Sequence, residues 1–137
     1  MFPDPSTLRP HRIRQKLEEG LTAAQVAVWF ASPTITRTLV TEEVNILVDY
    51  VSGLHSRLVL RTEEKLDLEA YLLNNNISTA VDKLCVYLQG KSEGDVVELI
   101  EFLQETGSLT SLGAYLNILL ERCRDQVNTG LCSSINM

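Results

Sequence analysis

Two histidines are the first side chains in this sequence to consider for catalysis or metal binding. His11 and His55 lie far apart, and neither has a cysteine or aspartate beside it at the spacing of a metal-ligand set. We interpret the glycines as punctuation between helices, and they form no glycine-rich loop that could cradle a phosphate. We therefore predict that the chain is not an enzyme and that it uses no cofactor and no metal.

The three cysteines, Cys85, Cys123 and Cys132, are odd in number and lack metal-type spacing. Cys85 falls on an apolar helical stripe, which predicts a buried thiol in the core. Cys123 lies between Arg122 and Arg124, whose charge could lower the pKa of the thiol and make it reactive. A solvated helix end is the plainer interpretation of that stretch. This use of cysteine fits a reducing, cytoplasmic compartment best.

The charged residues are grouped along the chain. Glu98, Glu101 and Glu105 recur at i, i+3 and i+7, which places their carboxylates on one face of a helix. The positive charge is grouped elsewhere, at Arg9, Arg12, Arg14, Lys16, Arg57 and Arg61. One interpretation is an ordinary solvated polar face. The other is a pair of complementary surfaces on different sides of one domain, which could join molecules head to tail and would assign all of these residues to protein–protein contact.

The composition is that of a globular domain with net negative charge. Apolar residues make up 45% of the 137 residues, charged residues 22%, and the formal net charge is −6. An acidic chain without a basic-aromatic cluster is not expected to bind nucleic acid. The N-terminal segment has no apolar signal region, and no stretch is long and apolar enough to span a membrane. We therefore expect a cytoplasmic protein, and we interpret the glycosylation pattern at Asn76 as a helix corner without glycan.

Helices with short joints are expected to position these residues. Thr22 and Gln25 form a capping-box pattern. Ser32 and Pro33 are expected to end the helix that follows, because the residue before proline is pushed out of the α region. Gly53 is expected to end the next helix. Four apolar residues on the stripes of later helices are predicted to be buried in the core, namely Leu84, Leu88, Leu99 and Phe102.

No strand-like alternation of useful length is present, so we predict an all-α fold. Short connections favour a compact antiparallel bundle of six or seven helices. The predicted parts are 1–35, an N-terminal helical extension or split first helix; 36–127, the helical bundle; and 128–137, a flexible tail.

Residues from about 41 to 117 resemble a caspase-recruitment domain, a six-helix member of the death-fold superfamily. The stretch LVDYVSGLHSRLVLRTEEKLDLEAY (47–71) is similar to the second and third helices of that family. The stretch NNNISTAVDKLCVYLQGKSEGDVVELIEFLQETGSLTSLGAYL (74–116) is similar to its last three helices. In the spacing of its apolar residues and turns, the pattern most resembles the modules of the cytosolic double-stranded-RNA-sensing helicases and of their adaptor.

The resemblance implies a non-catalytic domain that recruits another death-fold domain, and could self-associate, in apoptotic or innate-immune signalling. A second hypothesis is a helical scaffold that binds an unrelated helix or peptide in an apolar groove. Exposed charged surfaces would favour the first hypothesis, whereas an exposed apolar cleft would favour the second.

Overall fold

A computed structural model describes residues 8–135 of the chain, with side chains up to residue 128, and this part folds into seven α-helices. No strand forms among the described residues, so the predicted all-α bundle is confirmed. The connections between helices are three to five residues long. The helices are α1 (Pro10–Glu18), α2 (Ala23–Leu39), α3 (Val44–Ser56), α4 (Thr62–Leu73), α5 (Ile77–Gln89), α6 (Glu93–Glu105) and α7 (Thr110–Ile135), with a 3-10 turn at Gly107–Leu109.

Helix α2 lies at the centre of the bundle. It packs against α1, α5, α6 and α7, whereas α3 packs on α4 and α6, and α4 packs on α5. Small and β-branched residues make this central position possible, because Ala24, Ala27 and Ala31 let neighbouring helices approach while Val26 and Val28 fill the space between them. All five are fully buried. Burial of this apolar surface is the main stabilising contribution to the fold.

Pro33 does not end α2, and the prediction of a helix end at Ser32 and Pro33 is wrong. The helix continues without interruption from Ala23 to Leu39. Pro33 is exposed, so the helical hydrogen bond that its nitrogen cannot donate is missing at the surface of the bundle and not in its core. The Ser32 hydroxyl donates to the Val28 carbonyl at 2.8 Å, which holds the turn before the proline. Tertiary packing on both sides of α2 therefore overrides the local preference of the residue before proline.

Leu84, Leu88 and Leu99 are buried, as predicted from their helical spacing. Phe102 is only half-buried, so the prediction that it belongs to the buried core is wrong. Its ring lies at the edge of the bundle, where α3 passes close to α6. A Cβ at Gly53 would come within 2.9 Å of Cζ of Phe102, so Gly53 permits this approach. Helix α3 continues past Gly53 to Ser56, so the prediction that Gly53 ends this helix is wrong.

The end of α3 is formed by a leucine in the left-handed conformation. Leu58 has φ +66°, a backbone region that non-glycine residues rarely adopt. Its N–H donates to the His55 carbonyl at 3.0 Å, and the N–H of Val59 donates to the Leu54 carbonyl at 3.0 Å. This reversal turns Val59 and Leu60 into the core, where they are 1% and 2% exposed. The same reversal directs Leu58 into solvent.

Two other helix ends agree with the sequence signals. The Thr22 hydroxyl accepts from the Gln25 N–H at 3.2 Å, and the Gln25 side chain accepts from the Thr22 N–H at 3.0 Å, so the predicted capping box is confirmed. Asn75 has φ +60° and closes α4, as expected for asparagine. Asn76 is exposed at the corner that starts α5.

The predicted boundary between residues 35 and 36 falls inside α2, the central helix. The segment before it contributes α1 as an additional helix and the first three-quarters of α2; residues 1–7 lie outside the described residues. The predicted tail 128–137 overlaps the end of α7, but its side chains from 129 onward lie outside the described part, so its flexibility stays a prediction. Within residues 8–135, no helix has the length and apolar character needed to cross a bilayer.

Candidate protein-interaction surfaces

The acidic stripe of α6 lies on the outer side of that helix, opposite the buried Leu99 and Leu103. The Ser92 hydroxyl caps α6 by accepting from the Asp95 N–H at 3.2 Å, which fixes where the helix begins. Glu101 and Glu105 are exposed, and Glu98 is half-buried. The predicted grouping of Glu98, Glu101 and Glu105 on one face is therefore present.

Arg57 lies against this stripe, although the sequence groups it with the opposing basic residues. Its Nη1 is 3.5 Å from Glu98 Oε2, and its Nη2 is paired with Glu105 Oε2. The guanidinium carbon is also 5.7 Å from the centre of the Phe102 ring. Arg57 is thus a member of the acidic surface, and its assignment to an opposing basic surface is wrong. Glu101 makes no ion pair with any residue of the described chain, so it is the carboxylate of the stripe available to a partner.

Leu58 extends this surface with an apolar side chain. It is 82% exposed and directly follows Arg57 in the loop between α3 and α4. A bulky apolar residue in the left-handed conformation is strained, and such residues cluster at sites where proteins bind ligands or partners. We call the group Arg57, Leu58, Glu98, Glu101 and Glu105 the acidic surface.

Arg61 stands apart from the acidic surface in its contacts. It is exposed just before α4, where its backbone N–H donates to Glu64 Oε1 at 2.9 Å. It makes no ion pair with the α6 carboxylates in the described structure. The prediction that Arg57 and Arg61 belong to one basic group is therefore wrong.

The basic residues of α1, together with Arg9 just before it, divide between two sides of that helix. Arg9, Arg12 and Lys16 recur at i, i+3 and i+7, whereas Arg14 projects elsewhere. Arg14 lines an open groove of about 850 Å³ between α1, α2 and α7. Arg9, Arg12 and Arg14 are exposed, and Lys16 is half-buried beside Glu19, with Nζ and Oε2 3.5 Å apart.

Arg12 and Lys16 are stacked on an aromatic pair of α2. The Lys16 Nζ is 4.0 Å from the centre of the Trp29 ring, and the Arg12 guanidinium carbon is 5.5 Å from the centre of the Phe30 ring. Trp29 and Phe30 pack edge to face with centroids 5.0 Å apart. Cations over aromatic faces are attracted by the ring quadrupole, so these contacts hold both charges at the surface of α2.

An open groove of about 650 Å³ adjoins this pair and reaches to α5. Trp29 and Phe30 form one wall and Val86, which is 65% exposed, lies in the other, while Arg12 and Asp82 line the rim. We call this site the basic-aromatic groove. Sequence reasoning missed it, although one signal was available. Adjacent residues on a helix are about 100° apart, so Trp29 and Phe30 cannot both point into one core.

Few side chains of helix α1 pack against the rest of the bundle. Ile13 is its one fully buried side chain in the described residues, and Leu17 packs partly against the core. Arg122 of α7 donates through Nη2 to the Leu8 carbonyl just ahead of α1. These contacts, together with the two cation–aromatic stacks, fix the position of Arg12 and Lys16, which we call the basic rim, relative to the groove.

Three of the side chains considered for catalysis, His55, Cys85 and Cys123, are buried or make structural contacts, whereas His11 is exposed on α1. His55 Nε2 is 3.2 Å from the Thr62 hydroxyl, which links the end of α3 to α4. Cys85 is buried as predicted, and burial raises the pKa of its thiol. Cys123 is fully buried, which contradicts a solvated helix end; burial raises the pKa of its thiol to about 12, against a smaller lowering by Arg122. The hypothesis of a thiol activated by its flanking arginines is therefore wrong.

Comparisons with protein-family models, with curated proteins and with solved structures found no match for this chain. The resemblance to the caspase-recruitment domains therefore depends on the residue pattern alone.

Proposed function

We propose that this chain is a non-catalytic protein-interaction domain that assembles with like domains, including copies of itself, in the cytoplasm. The death-fold resemblance suggests apoptotic or innate-immune signalling as the setting. The observation that carries the proposal is the presence of two surfaces of unlike charge that make no ion pair with each other in the described chain. One is the acidic surface, and the other is the basic-aromatic groove with its rim on α1.

The location of the two surfaces supports contact between molecules. The acidic stripe belongs to α6, which packs on α2, α3 and α7, whereas the basic rim belongs to α1, which packs on α2 and α7. Unlike patches at different places on one molecule can meet head to tail, so that each added molecule presents a fresh copy of both. Complementary potentials also speed association and exclude partners of the wrong charge.

The test is sedimentation velocity of wild type and Glu101→Lys over a range of concentrations and salt. Wild type should associate most strongly at low salt, because the screening length falls from about 30 Å at 0.01 M to about 8 Å at 0.15 M. Glu101→Lys should associate less while keeping its fold. Glu63→Lys is the matched control, since Glu63 is an exposed carboxylate on α4, which carries neither surface. Equal association of wild type and Glu101→Lys at low salt would contradict the proposal.

The basic-aromatic groove favours a second candidate function, the binding of an unrelated helix or peptide. The groove exposes Trp29 and Val86 beside the Phe30 ring, an apolar lining of the kind that receives the anchor residues of an amphipathic helix. Wild type that stays monomeric at low salt throughout the concentration series would make this the better assignment.

A further inference from the structure

Leu58 is an apolar side chain fixed in solvent by the fold. The loop that carries it has only five residues, and hydrogen bonds to the carbonyls of Leu54 and His55 determine its course. The two residues after it, Val59 and Leu60, are anchored in the core. Leu58 therefore cannot turn inward without withdrawing those two side chains, and it is held out as a rigid apolar knob. A side chain already fixed in this way loses little conformational entropy when a partner covers it.

The surroundings of this knob are negative. Arg57 is paired with Glu98 and Glu105, whereas the Glu101 carboxylate has no ion pair in the described chain. Three carboxylates and one guanidinium give these four residues a formal net charge of −2. A partner surface that receives Leu58 should therefore offer an apolar pocket with positive charge at its edge. This combination defines the chemistry of the partner more narrowly than charge alone.

The basic-aromatic groove of this same chain has those properties. Its walls are the Trp29 and Phe30 rings and the side chain of Val86. Arg12 at the rim makes no ion pair in the described chain, so its charge is available to a partner. Lys16 over the Trp29 ring already has Glu19 Oε2 3.5 Å from its Nζ, and Asp82 is the carboxylate that lines the groove itself. Because both cations are stacked on aromatic rings, they are held where an approaching acidic surface would meet them.

We propose that Leu58 of one molecule inserts into the basic-aromatic groove of a second copy, with Glu101 placed near the Arg12 and Lys16 rim. This inference rests on the proposed function and names the apolar contact within it. The two surfaces differ, so the contact is heterologous, and each molecule in a chain uses its knob toward one neighbour and its groove toward the other.

The experiment combines two variants that each lose one surface. Leu58→Asp removes the knob, and Val86→Asp places a charge in the groove wall; both side chains are exposed, so the folds should persist. Each variant alone should stay monomeric, with its self-association constant weakened at least about tenfold, as expected for a central contact residue. An equimolar mixture should form a one-to-one dimer and nothing larger, because only one intact knob and one intact groove remain to meet.

Leu73→Asp is the matched control. Leu73 is 77% exposed but lies at the end of α4, so this variant should assemble like wild type. Leu58→Gly is a second knob deletion that adds no charge and suits the left-handed backbone, and it should also fail to assemble.

Three outcomes would overturn the inference. The first is assembly of Leu58→Gly at the wild-type level, and the second is a folded mixture of the two aspartate variants that stays monomeric. The third is equal loss of assembly in Leu73→Asp, which would indicate a general effect of exposed charge. Loss of assembly in Glu101→Lys together with normal assembly in Leu58→Gly would refute the knob and leave the proposed function standing. Normal assembly in Glu101→Lys would refute the proposed function itself.

Discussion

The guanidinium of Arg57 lies against the carboxylate of Glu105, although 48 positions separate the two residues in the chain. The contact joins the end of α3 to the end of α6 and also places Arg57 near Glu98 and over the Phe102 ring. A positive charge is thus placed within a negative stripe. Its effect is to reduce the charge of the acidic surface and to leave Glu101 as the carboxylate without an ion pair in the described structure.

Arg57→Gln should have opposite effects on stability and on association. The free energy of unfolding should fall by about 0.5–1 kcal/mol at low salt, because exposed ion pairs contribute little and salt screens them. Self-association at low salt should become tighter, since two more carboxylates face the basic rim of the next molecule. Urea titration and sedimentation velocity measure the two effects. Arg57→Lys keeps the charge and is the control; weaker association in Arg57→Gln would place Arg57 itself in the contact.

Leu58→Gly should raise the free energy of unfolding by about 1 kcal/mol. The left-handed conformation at φ +66° is unfavourable for leucine by about 1–2 kcal/mol and is accessible to glycine, which offsets the greater chain entropy of glycine when unfolded. Little burial is lost, because the leucine is 82% exposed. The matched control is Leu66→Gly in α4, where the backbone is helical and glycine should cost about 1 kcal/mol. Destabilisation in both variants would mean that Leu58 packs in the folded protein.

Gly113→Ala should destabilise the fold although alanine is the better helix former. An added Cβ would lie 2.9 Å from the backbone nitrogen of Gln104 and 3.0 Å from the Leu103 Cβ, so α6 and α7 would have to separate. We expect a loss of about 1–3 kcal/mol, the usual range for overpacking. Gly94→Ala is the control, because the nearest atom there is the Ser92 hydroxyl at 3.9 Å, and it should be neutral or stabilising. Thermal unfolding monitored by circular dichroism distinguishes the two.

Glu64 should make the stability of the fold depend on pH in acid. Burial raises the pKa of its carboxyl, but the Arg61 N–H and the Lys91 ammonium, whose Nζ is 2.6 Å away, together hold the pKa below its ordinary value. A lowered folded pKa contributes stability above the unfolded pKa, about 4.3, and this contribution is lost as the pH falls through the folded pKa.

Glu64→Gln therefore should be less stable than wild type near neutral pH, and the difference should shrink well below pH ~4. Urea unfolding of both proteins across this range measures it. Glu69→Gln is the control, because its ion pair with Lys65 is a local one within α4 at 3.6 Å. A constant difference between wild type and Glu64→Gln at all pH values would contradict the assignment.

Features that depend on nearby residues could be predicted from the sequence. The capping box of Thr22 and Gln25 spans three positions, and the stripe of Glu98, Glu101 and Glu105 follows from helical spacing alone. The same holds for the burial of Leu84 and Leu88, since an apolar stripe on a helix must face another element.

Features that depend on packing could not be predicted in this way. The proximity of Arg57 to Glu105 requires the crossing of α3 and α6, which no local signal specifies. Pro33 is tolerated in α2 because its ring faces solvent, and Gly53 is required by the Phe102 ring, not by a helix end. The basic-aromatic groove likewise needs α1, α2 and α5 to be placed side by side.

The central position of α2 also has a consequence for synthesis of the protein on the ribosome. Its partner α7 begins at Thr110, 71 residues after α2 ends at Leu39. At elongation rates of about 5–20 residues per second, about 4–14 seconds pass between the completion of α2 and the start of α7. During that interval the part of α2 that α7 covers has no partner in the nascent chain. We therefore expect this segment to be the part of the nascent chain most prone to bind chaperones.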